Sequence, residues 1–425
     1  MKIEENKEPQ HNFHSEKFLN PRILYLHLSQ HTGKQSKPLI KVGDLVEEGE
    51  VIASEDGYIS SRLHAPAKGK VIDIADLAHP ILKKAKAIVI ECLDQKKEFV
   101  RNKNVSDLSK EELLECIRNS GIVGMGGAAF PTHVKLNPPK KIVTLIINGC
   151  ECEPYLAADY RLMVENIEGI FLGIEIISKI LQPKNIIIAV EDNKKDAIKN
   201  INSIINLKKI SLPNISLKVL KTEYPQGGEK QLIYTLTKKV VPSGKLPFDV
   251  GCLVQNVSTC FAIYQAVYYN KPLIERLVTF AGDALVLPKN IWVKIGTTLR
   301  ELFDKKVLEF KVEPKKIICG GPMMGIALDS LDYPILKATS GFLFLNKPVS
   351  FLEEKPCIRC GECIRNCPMG LMPCLINLYT LKQSFDEAKM LGALDCIECG
   401  VCSFVCPAKR FLVQSIKNAK LNLLK

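Results

Sequence analysis

Short apolar runs alternate with longer amphipathic stretches in the middle of the chain. Residues 142–148 (IVTLIIN) and 185–190 (NIIIAV) are continuous apolar runs suited to buried strands, and residues 215–221 (ISLKVLK) alternate like a third strand. Residues 159–181 and 194–205 have the length and apolar period of helices. Successive strand–helix–strand units require a parallel sheet with right-handed crossovers. The pattern therefore predicts an α/β layer whose ligands bind beyond the carboxyl ends of its strands.

Different patterns flank this layer on both sides. Residues 39–90 contain brief apolar runs separated by turn residues, which predicts a small β-barrel or sandwich. After residue 270, strand-like runs are mixed with one helical stretch, and the only tryptophan, Trp292, is expected in the core there. Residues 371–395 have apolar positions at helical spacing and predict a helical linker. The first 17 residues lack an apolar signal core, so we expect a polar, partly loose leader.

Length and composition bound the class of protein. A chain of 425 residues is too long for one compact core and suggests about three domains by length alone. With 46% hydrophobic and 24% charged residues it is not a wholly disordered chain. The best membrane-span candidate, residues 167–181, is interrupted by Glu168, Glu175 and Lys179, so no transmembrane segment is predicted.

The charge balance also excludes some partners. There are 58 Lys and Arg residues against 46 Asp and Glu residues, a formal net charge of +12. Because these basic residues are scattered rather than gathered in a stripe, no nucleic-acid partner is predicted. The excess could still help an acidic electron carrier or an anionic nucleotide to approach.

The chain has sixteen cysteines, which a disulfide framework does not explain in the reducing cytoplasm where we expect it. Eight of them form two runs of identical spacing, C-x2-C-x2-C-x3-C-P, typical of two-cluster ferredoxins. Three cysteines of each run wrap one cluster, and the fourth, which we expect to open a helix before its proline, reaches the other cluster. One predicted [4Fe–4S] site is Cys357, Cys360, Cys363 and Cys406, and the second is Cys396, Cys399, Cys402 and Cys367.

Two structural zinc sites are the alternative. Zinc sites usually have paired C-x2-C units separated by a longer loop, which these runs do not match well. Gly361 and Gly400 are expected to let the backbone approach the cluster sulfides closely. Cys374, between the runs, is expected to be a buried apolar cysteine rather than a ligand.

A glycine-rich stretch precedes the α/β layer. Gly121, Gly124, Gly126 and Gly127 are followed by Lys135. The glycines alone fit a tight turn without a ligand equally well. With a lysine nearby and a strand–helix alternation behind them, free backbone N–H groups and a cation can instead form a phosphate cradle.

Polar loops follow the first and third predicted strands. Glu151 and Glu153 lie in the first of them, and either cap the next helix from a solvated turn or accept hydrogen bonds from ribose hydroxyls or a carboxamide. The C-x-C pair of Cys150 and Cys152 has no nearby His or Cys partner, which disfavours a metal site. Residues 224–229 (YPQGGE) form a second glycine-rich segment after the third strand.

Taken together, these motifs resemble the flavoprotein subunit of respiratory complex I, and more closely the C subunit of the Rnf complex. The glycine loop, the acidic loop, residues 224–229 and residues 256–259 (NVST) carry the resemblance to complex I. The double ferredoxin run, residues 320–325 (GGPMMG) and the ending FLVQSIK extend it to the Rnf protein, over roughly residues 13–420. Three positions depart from the complex I pattern: an arginine is Met125 here, an acidic residue is Cys150, and a glutamate is Ser258.

The resemblance implies FMN and two [4Fe–4S] clusters as cofactors and NAD(H) as substrate. The implied FMN and NAD(H) contacts are Gly124, Gly126, Gly127, Lys135, Asn148, Glu151, Glu153, Tyr224, Gly227, Gly228, Glu229, Asn256 and Thr259. The implied fold class is multidomain α/β in four modules. These are a barrel-sandwich hybrid with a polar leader (1–100), a Rossmann-like FMN/NADH domain (101–265), a soluble-ligand-binding β-grasp domain (266–345) and a helical two-cluster ferredoxin-type domain (346–425).

The implied function is that of a peripheral subunit of an ion-translocating ferredoxin:NAD⁺ oxidoreductase at the cytoplasmic face of the membrane. Hydride would pass between NAD(H) and FMN, and single electrons between FMN and the clusters. The implied partners are membrane-embedded and ferredoxin-type Rnf subunits, and ferredoxin indirectly. Two alternatives remain: a stand-alone flavin/iron–sulfur reductase such as the cobalamin reductase of microcompartments, and a passive scaffold whose glycine loop is empty.

Overall fold

The computed structural model of the chain describes residues 1–8, 10–93, 97–101, 105–207, 212, 214–347 and 353–424. Pro9 of the predicted leader and residues 348–352, next to the predicted joint of the last two modules, lie outside the described residues. None of the helices within the described ranges is both long and apolar enough to cross a membrane.

The N-terminal module is built from antiparallel strands, as its turn-rich sequence predicts, but two of them are longer than the brief runs expected, at 11 and 10 residues. The first strand of the chain, β1 (Glu16–Phe18), lies outside this module and joins a later sheet. The module's own strands are β2 (Ile23–His27), β3 (Lys37–Pro38), β4 (Leu45–Val46), β5 (Val51–Ser54), β6 (Leu63–His64), β7 (Gly69–His79) and β8 (Lys83–Cys92). They form sheets of order β2-β8-β7-β4 and β3-β5-β6, with Leu24, Ile52 and Ile88 fully buried between them and the rest of the core.

The second module is the predicted parallel sheet with helices. Its strands are β9 (Thr144–Gly149), β10 (Asn185–Glu191), β11 (Ile215–Leu220) and β12 (Cys252–Asn256), all parallel, in the order β11-β10-β9-β12. Its helices are α1 (Lys110–Asn119), α2 (Thr132–Lys135), α3 (Ala158–Glu165), α4 (Ile167–Leu181), α5 (Lys195–Asn206), α6 (Glu229–Thr237) and α7 (Val257–Tyr269), with 3-10 turns at Val105–Asp107 and Pro247–Val250. Because β10 and β12 lie on opposite sides of β9, the strand order reverses there, and a ligand crevice opens at such a switch point.

One predicted helix of this module is two helices. The stretch 159–181 breaks at Asn166, which has φ −135° and ψ 33° and ends α3 while starting α4. Asparagine favours helix ends because its short amide competes for nearby backbone groups. The helices α4 and α7 pack closely, and a Cβ on Gly173 would lie 1.9 Å from the Cys260 carbonyl oxygen. Glycine is therefore required at this contact.

The third module is a mixed six-stranded sheet with one helix. Its elements are β13 (Glu275–Ala281), β14 (Lys289–Lys294), α8 (Leu299–Asp304), β15 (Lys316–Cys319), β16 (Ile326–Leu328) and β17 (Gly341–Leu345). The strand order is β1-β14-β13-β17-β15-β16, so β1 of the leader is its edge strand and pairs in parallel with β14. The expectation of a partly loose leader is thus wrong for its end, because main-chain pairing with β14 fixes Glu16 and Lys17. Trp292 is buried and packs on Phe261 at 5.8 Å between ring centroids, which confirms the predicted core position.

The last module is helical. Its helices are α9 (Glu362–Arg365), α10 (Pro373–Leu381), α11 (Phe385–Met390), α12 (Val401–Phe404) and α13 (Leu412–Leu423), with a 3-10 turn at Ala393–Asp395. The predicted helical linker is the pair α10 and α11. The fourth cysteine of each run does not open a helix as expected: Cys367 follows α9, and Cys406 follows α12. Each precedes a proline, and the residue before proline is disfavoured in helical conformation.

Candidate functional site

The predicted flavin residues gather at the carboxyl ends of β9 and β12, at the switch point of the sheet. A Cβ on Gly126 would lie 2.7 Å from the Asn256 side-chain nitrogen, so only glycine allows this approach. The Met125 N–H donates to the Thr259 hydroxyl at 3.0 Å. Nothing lies within 4 Å of the Cβ position of Gly127, which leaves one face of the glycine loop open. The loop is therefore held against the start of α7 and presents an open backbone surface.

Asn256 organises the start of α7 beneath the glycine loop. Its side-chain oxygen accepts N–H bonds from Ser258 at 2.8 Å and Thr259 at 3.3 Å, and its amide nitrogen donates to Asp159 at 2.6 Å. Ser258, one of the three departures from the complex I pattern, donates its hydroxyl to the same Asp159 carboxylate. Asp159 is thus a structural member of the site that no motif singles out. Only its position at the start of a predicted helix was visible in the sequence.

Lys135 and Glu229, from two separate predicted segments, form an ion pair of 2.9 Å. The two side chains retain 30% and 41% exposure, so the pair faces solvent on one side. The ammonium beside the glycine loop is therefore accessible to an incoming anion while the glutamate fixes its position. An exposed ion pair of this kind contributes little to stability by itself.

The two polar loops after β9 and β11 are bonded to each other. Asn148 donates its amide to the Gly227 carbonyl at 2.9 Å, and the Gly227 N–H donates to the Cys152 sulfur at 3.3 Å. Burial raises the pKa of the Cys152 thiol to about 12, and burial likewise raises the pKa of Cys150. Both cysteines therefore stay neutral thiols that pack beneath the glycine-rich segment.

Glu151 caps a helix. The alternative interpretation of the acidic loop is a solvated turn that caps the next helix, and the capping part of it is present. Its carboxylate accepts the backbone N–H groups of Asp159 at 2.8 Å and Tyr160 at 3.0 Å, in the first turn of α3. The loop is not a solvated turn, however, because residues 151–153 are half-buried and Pro154 is buried. This burial, followed by the nearby Asp159 charge, raises the pKa of Glu151 to about 7. The carboxylate is occupied within the protein, and a role toward ribose or carboxamide remains a prediction.

Glu153 and Tyr224 face the iron–sulfur module. The Glu153 carboxylate accepts N–H bonds from Met323 at 3.2 Å and Met324 at 2.9 Å, in the segment 320–325 of the third module. Burial raises the pKa of Glu153 to about 7, although these N–H bonds oppose the shift. Tyr224 is buried, and its hydroxyl donates to the Cys399 carbonyl at 2.8 Å. A predicted flavin or NADH residue therefore contacts the second ferredoxin run directly.

The cysteines of the second predicted cluster share one cavity. Cys367 from the first run lines this cavity together with Cys396, Cys399 and Cys402 from the second run. The structure thus brings Cys367 beside the three cysteines of the second run, and the exchange of the fourth ligand between the runs stays a prediction. Four thiols around an enclosed apolar cavity suit a cubane cluster, in which each thiolate binds a different iron.

The cysteines of the first predicted cluster lie nearer the surface. Cys357 and Cys360 are exposed, whereas Cys363 and Cys406 are buried near each other. Cys374 was expected in an apolar interior, but it is half-buried and its thiol lies against that of Cys363. It adjoins the cluster loop without belonging to the repeated motif.

Three family models match separate parts of the chain. Residues 1–96 match the family model of the RnfC barrel sandwich hybrid domain, residues 117–265 that of the Nuo51 FMN-binding domain, and residues 350–407 that of the 4Fe-4S dicluster domain. A solved NAD⁺-reducing [NiFe]-hydrogenase in its H2-reduced state is similar in fold, with TM-score 0.53 and 16% identity over 76% of this chain and 63% of that chain. These matches define an electron-transfer protein that carries FMN and two [4Fe–4S] clusters.

The curated relatives narrow the class to a family. The C subunit of the proton-translocating ferredoxin:NAD(+) oxidoreductase complex of Clostridium ljungdahlii is 47% identical over 94% of this chain and 88% of its own length. The C subunit of the Na(+)-translocating complex of Acetobacterium woodii is 38% identical over 95% and 91%, and that of an ion-translocating oxidoreductase complex of Salmonella choleraesuis is 39% identical over 87% and 53%. The chain belongs to the family of C subunits of ion-translocating ferredoxin:NAD(+) oxidoreductase complexes.

Proposed function

We propose that this chain exchanges hydride between NAD(H) and FMN and passes single electrons through its two [4Fe–4S] clusters, within a membrane complex coupled to Na⁺ or H⁺ movement. FMN, when bound, supplies the junction between two-electron and one-electron chemistry, which the clusters cannot supply. The polypeptide positions the carriers and excludes water around them. The observation that carries the proposal is the direct contact between the predicted flavin site and the second ferredoxin run.

That contact has three parts. Tyr224 donates its hydroxyl to the Cys399 carbonyl at 2.8 Å. Met323, held through its N–H by Glu153, packs its carbonyl so closely on Gly400 that a Cβ there would lie 2.6 Å away. Gln231 of α6 donates to the carbonyl of Pro368, which follows Cys367 of the first run, at 2.7 Å, so this third part reaches the second cluster through its predicted fourth ligand. Three segments beside the α/β sheet thus contact the loops around the second cluster.

The site residues divide into two groups by their surroundings. The open face at Gly127 and the half-exposed Lys135 provide N–H groups and a cation, which suit the FMN phosphate. Asn148, Asn256 and Thr259 hold the loops that surround this face. Their direct contacts to FMN and NAD(H) are proposed from the family pattern.

The surroundings of the two runs also suggest the order of the carriers. The second-run cysteines adjoin Tyr224 and Met323, whereas Cys357 and Cys360 of the first run are exposed. The second cluster therefore faces the flavin, and the first is placed to exchange electrons with another subunit. We propose membrane-embedded and ferredoxin-type subunits of the same complex as these partners, ferredoxin as an indirect partner, and the cytoplasmic face of the membrane as the location.

We propose that the chain is divided into four modules with different roles, at residues 1–100, 101–265, 266–345 and 346–425. The second and fourth modules carry the cofactors. The first and third modules support them, with the qualification that the leader joins the sheet of the third module through β1.

Lys135→Ala, in anaerobically purified protein, tests the flavin site. A charge-assisted hydrogen bond contributes about 1.5–3 kcal/mol, so the Kd for FMN should rise roughly 10- to 100-fold, with iron and sulfide content unchanged. Quenching of flavin fluorescence measures the affinity. Lys140→Ala is the matched control, since Lys140 belongs to the same module but pairs on the surface with Asp249 at 2.6 Å.

One result would contradict the proposed function, and another would contradict only the assignment of Lys135. Parent protein that holds about eight irons but takes up no flavin and is not reduced by NADH would reduce it to a ferredoxin-like adaptor. Equal FMN affinity in the Lys135 and Lys140 variants would remove Lys135 from the site while leaving the overall function intact.

A further inference from the structure

The first eight residues have alternating exposure, like a strand with one inward face. Met1, Ile3 and Glu5 are half-buried and Lys7 is buried, whereas the even-numbered residues between them are exposed. A period of two is the signature of an extended segment packed on one side, and Asn6, at φ 48°, turns the chain just before Lys7. The start of the leader therefore packs on the protein surface, with its odd-numbered side chains directed inward.

The inward side chains cover the contact between the flavin site and the second run. Met1 and Ile3 pack on an apolar cluster formed by Tyr224, Cys399 and Val401. The Tyr224 N–H donates to the Met1 carbonyl at 2.8 Å, which aligns the leader with the glycine-rich segment. The same tyrosine donates its hydroxyl to Cys399, so the leader lies over the bridge between the two cofactor modules.

Lys7 anchors the leader under the acidic loop. Only 4% of its surface is exposed, and its ammonium donates to the Glu151 carbonyl. Glu151 has φ +45°, a left-handed conformation that a residue with a side chain adopts only when its surroundings impose it. A buried ammonium is unfavourable without partners, and Glu151 and Glu191 supply negative charge while Lys194 opposes it. Lys7 therefore fixes both the leader and the backbone of the acidic loop.

Further bonds hold the segment on both sides of Lys7. The Tyr155 N–H donates to the Glu5 carbonyl at 2.7 Å, and Gln10 returns a bond to the Tyr155 carbonyl at 2.8 Å. Asn290 of β14 donates to the Gln10 carbonyl at 2.8 Å, and Arg161 donates to the His11 carbonyl at 3.0 Å. These contacts reach the second and third modules, so the cover is part of the assembled site.

We propose that residues 1–8 and 10–11 are a fixed wall of the electron-transfer site, which seals the junction of the acidic loop with the second ferredoxin run, and that Lys7 is the positioning residue of this wall. The inference rests on the proposed function. Its consequence is that water and small solutes reach the second cluster slowly while the wall is closed. The first cluster, whose Cys357 and Cys360 are exposed, lacks this protection.

Lys7→Met compared with Lys2→Met in the full chain tests the proposal. Both variants lose one positive charge from the leader, but Lys2 points outward. Loss of a charge-assisted hydrogen bond should raise the open fraction of the wall about tenfold in Lys7→Met. Amide hydrogen exchange of residues 2–8 should accelerate by that factor, with or without cofactors. Iron removal from the second cluster by a ferrous chelator, followed by paramagnetic resonance, should accelerate likewise, while Lys2→Met stays within about twofold of the parent.

Equal exchange and chelation rates in the two variants would overturn the proposal. Should Lys7→Met not fold, Ile3→Ala carries the test, with an expected increase in chelation of about threefold from lost apolar contact. An unchanged rate in that variant would also refute the wall. Failure of the proposed function is distinguishable, because parent protein without flavin or iron would refute that function, while hydrogen exchange would still report on the leader.

Discussion

The two ferredoxin runs have the same spacing and the same local geometry but different surroundings. Gly361 and Gly400 occupy equivalent positions before the short helices, with φ 79° and 83°. Around Gly400 the loop is enclosed by Met323, Tyr224 and the leader, and Cys399 is buried. Around Gly361 the loop faces solvent, and the equivalent Cys360 is exposed.

This difference teaches that the motif specifies a cluster and that the rest of the chain specifies its role. A cluster enclosed beside the flavin site is suited to receive electrons within the protein. A cluster at the surface is suited to pass them to a partner. Since the spacing is identical, the packing of the leader and of the second and third modules distinguishes the two runs.

Removing one ligand from each run should break the comparison most strongly. Cys360→Ala should lose the first cluster and Cys399→Ala the second, each with about four of about eight irons. NADH should still reduce the remaining cluster in Cys360→Ala but not in Cys399→Ala, because the proposed route from the flavin begins at the second cluster. Iron analysis and paramagnetic resonance after NADH addition measure both effects.

The fourth ligands sharpen this experiment. Cys367→Ala should perturb the second cluster although Cys367 belongs to the first run, since it lines the cavity of the second. Cys374→Ala is the control and should retain both clusters. An intact second cluster in Cys367→Ala would show that the ligand exchange is wrong.

Substituting the equivalent glycines compares the loops by their packing. Both Gly361→Ala and Gly400→Ala place a side chain at positive φ, which disfavours each by about 1–2 kcal/mol. In Gly400→Ala the new Cβ would also lie 2.6 Å from the Met323 carbonyl oxygen, whereas in Gly361→Ala the nearest atom is the mobile end of Arg365 at 3.0 Å. Overpacking therefore adds about 1–3 kcal/mol to the destabilisation expected for Gly400→Ala. Denaturant unfolding should therefore show a larger loss in Gly400→Ala, and equal losses would contradict the enclosed second loop.

Local patterns predicted much of this architecture. The strands β9 and β10 follow from continuous apolar runs, which are typical of buried parallel strands, and β11 follows from alternation. The cysteine runs predict their clusters because ligand spacing is local. The break at Asn166 was missed, since an apolar helical period continues across it.

What the sequence did not reveal depends on contacts between distant segments. The leader was interpreted as loose because it is polar, yet Lys7 finds its partner 144 residues away at Glu151. Asp159 joins Asn256 across 97 residues, and β1 pairs with a strand more than 270 residues later in the chain. No single-sequence pattern encodes such pairings. Lys135 and Glu229 were each predicted as site residues, but their ion pair was not predicted.

The pH dependence of stability tests whether Glu153, by holding Met323 against Gly400, stabilises the second loop. The expected effect is smaller than that of Gly400→Ala. The folded pKa of Glu153 is about 7, above its ordinary value of 4.5, so the folded chain holds this proton more tightly than the unfolded chain. The resulting stabilisation is complete below pH 4.5 and is lost as pH rises through 7. The free energy of unfolding should fall by about 1–3 kcal/mol across that window on account of Glu153.

Glu153→Gln should flatten this slope. Part of it should persist, because the pKa of Glu151 is also raised to about 7. Urea unfolding between pH 5 and pH 8 measures the slope, with Glu111→Gln on the exposed side of α1 as the control. If the free energy of unfolding has the same slope against pH in the parent and in Glu153→Gln, Glu153 does not stabilise the second loop as proposed.

The smallest expected effect belongs to the hydroxyl that joins the flavin site to the second run. Tyr224→Phe keeps the buried ring but leaves the Cys399 carbonyl without this donor, which should destabilise the contact by about 0.5–1.5 kcal/mol. Tyr234→Phe, on the half-exposed face of α6, is the matched control. Chelation of the second cluster should accelerate up to roughly tenfold in Tyr224→Phe while that of the first cluster stays unchanged. If both clusters lose iron at the same altered rate, the tyrosine stabilises the whole module, and the two loops differ less than their surroundings indicate.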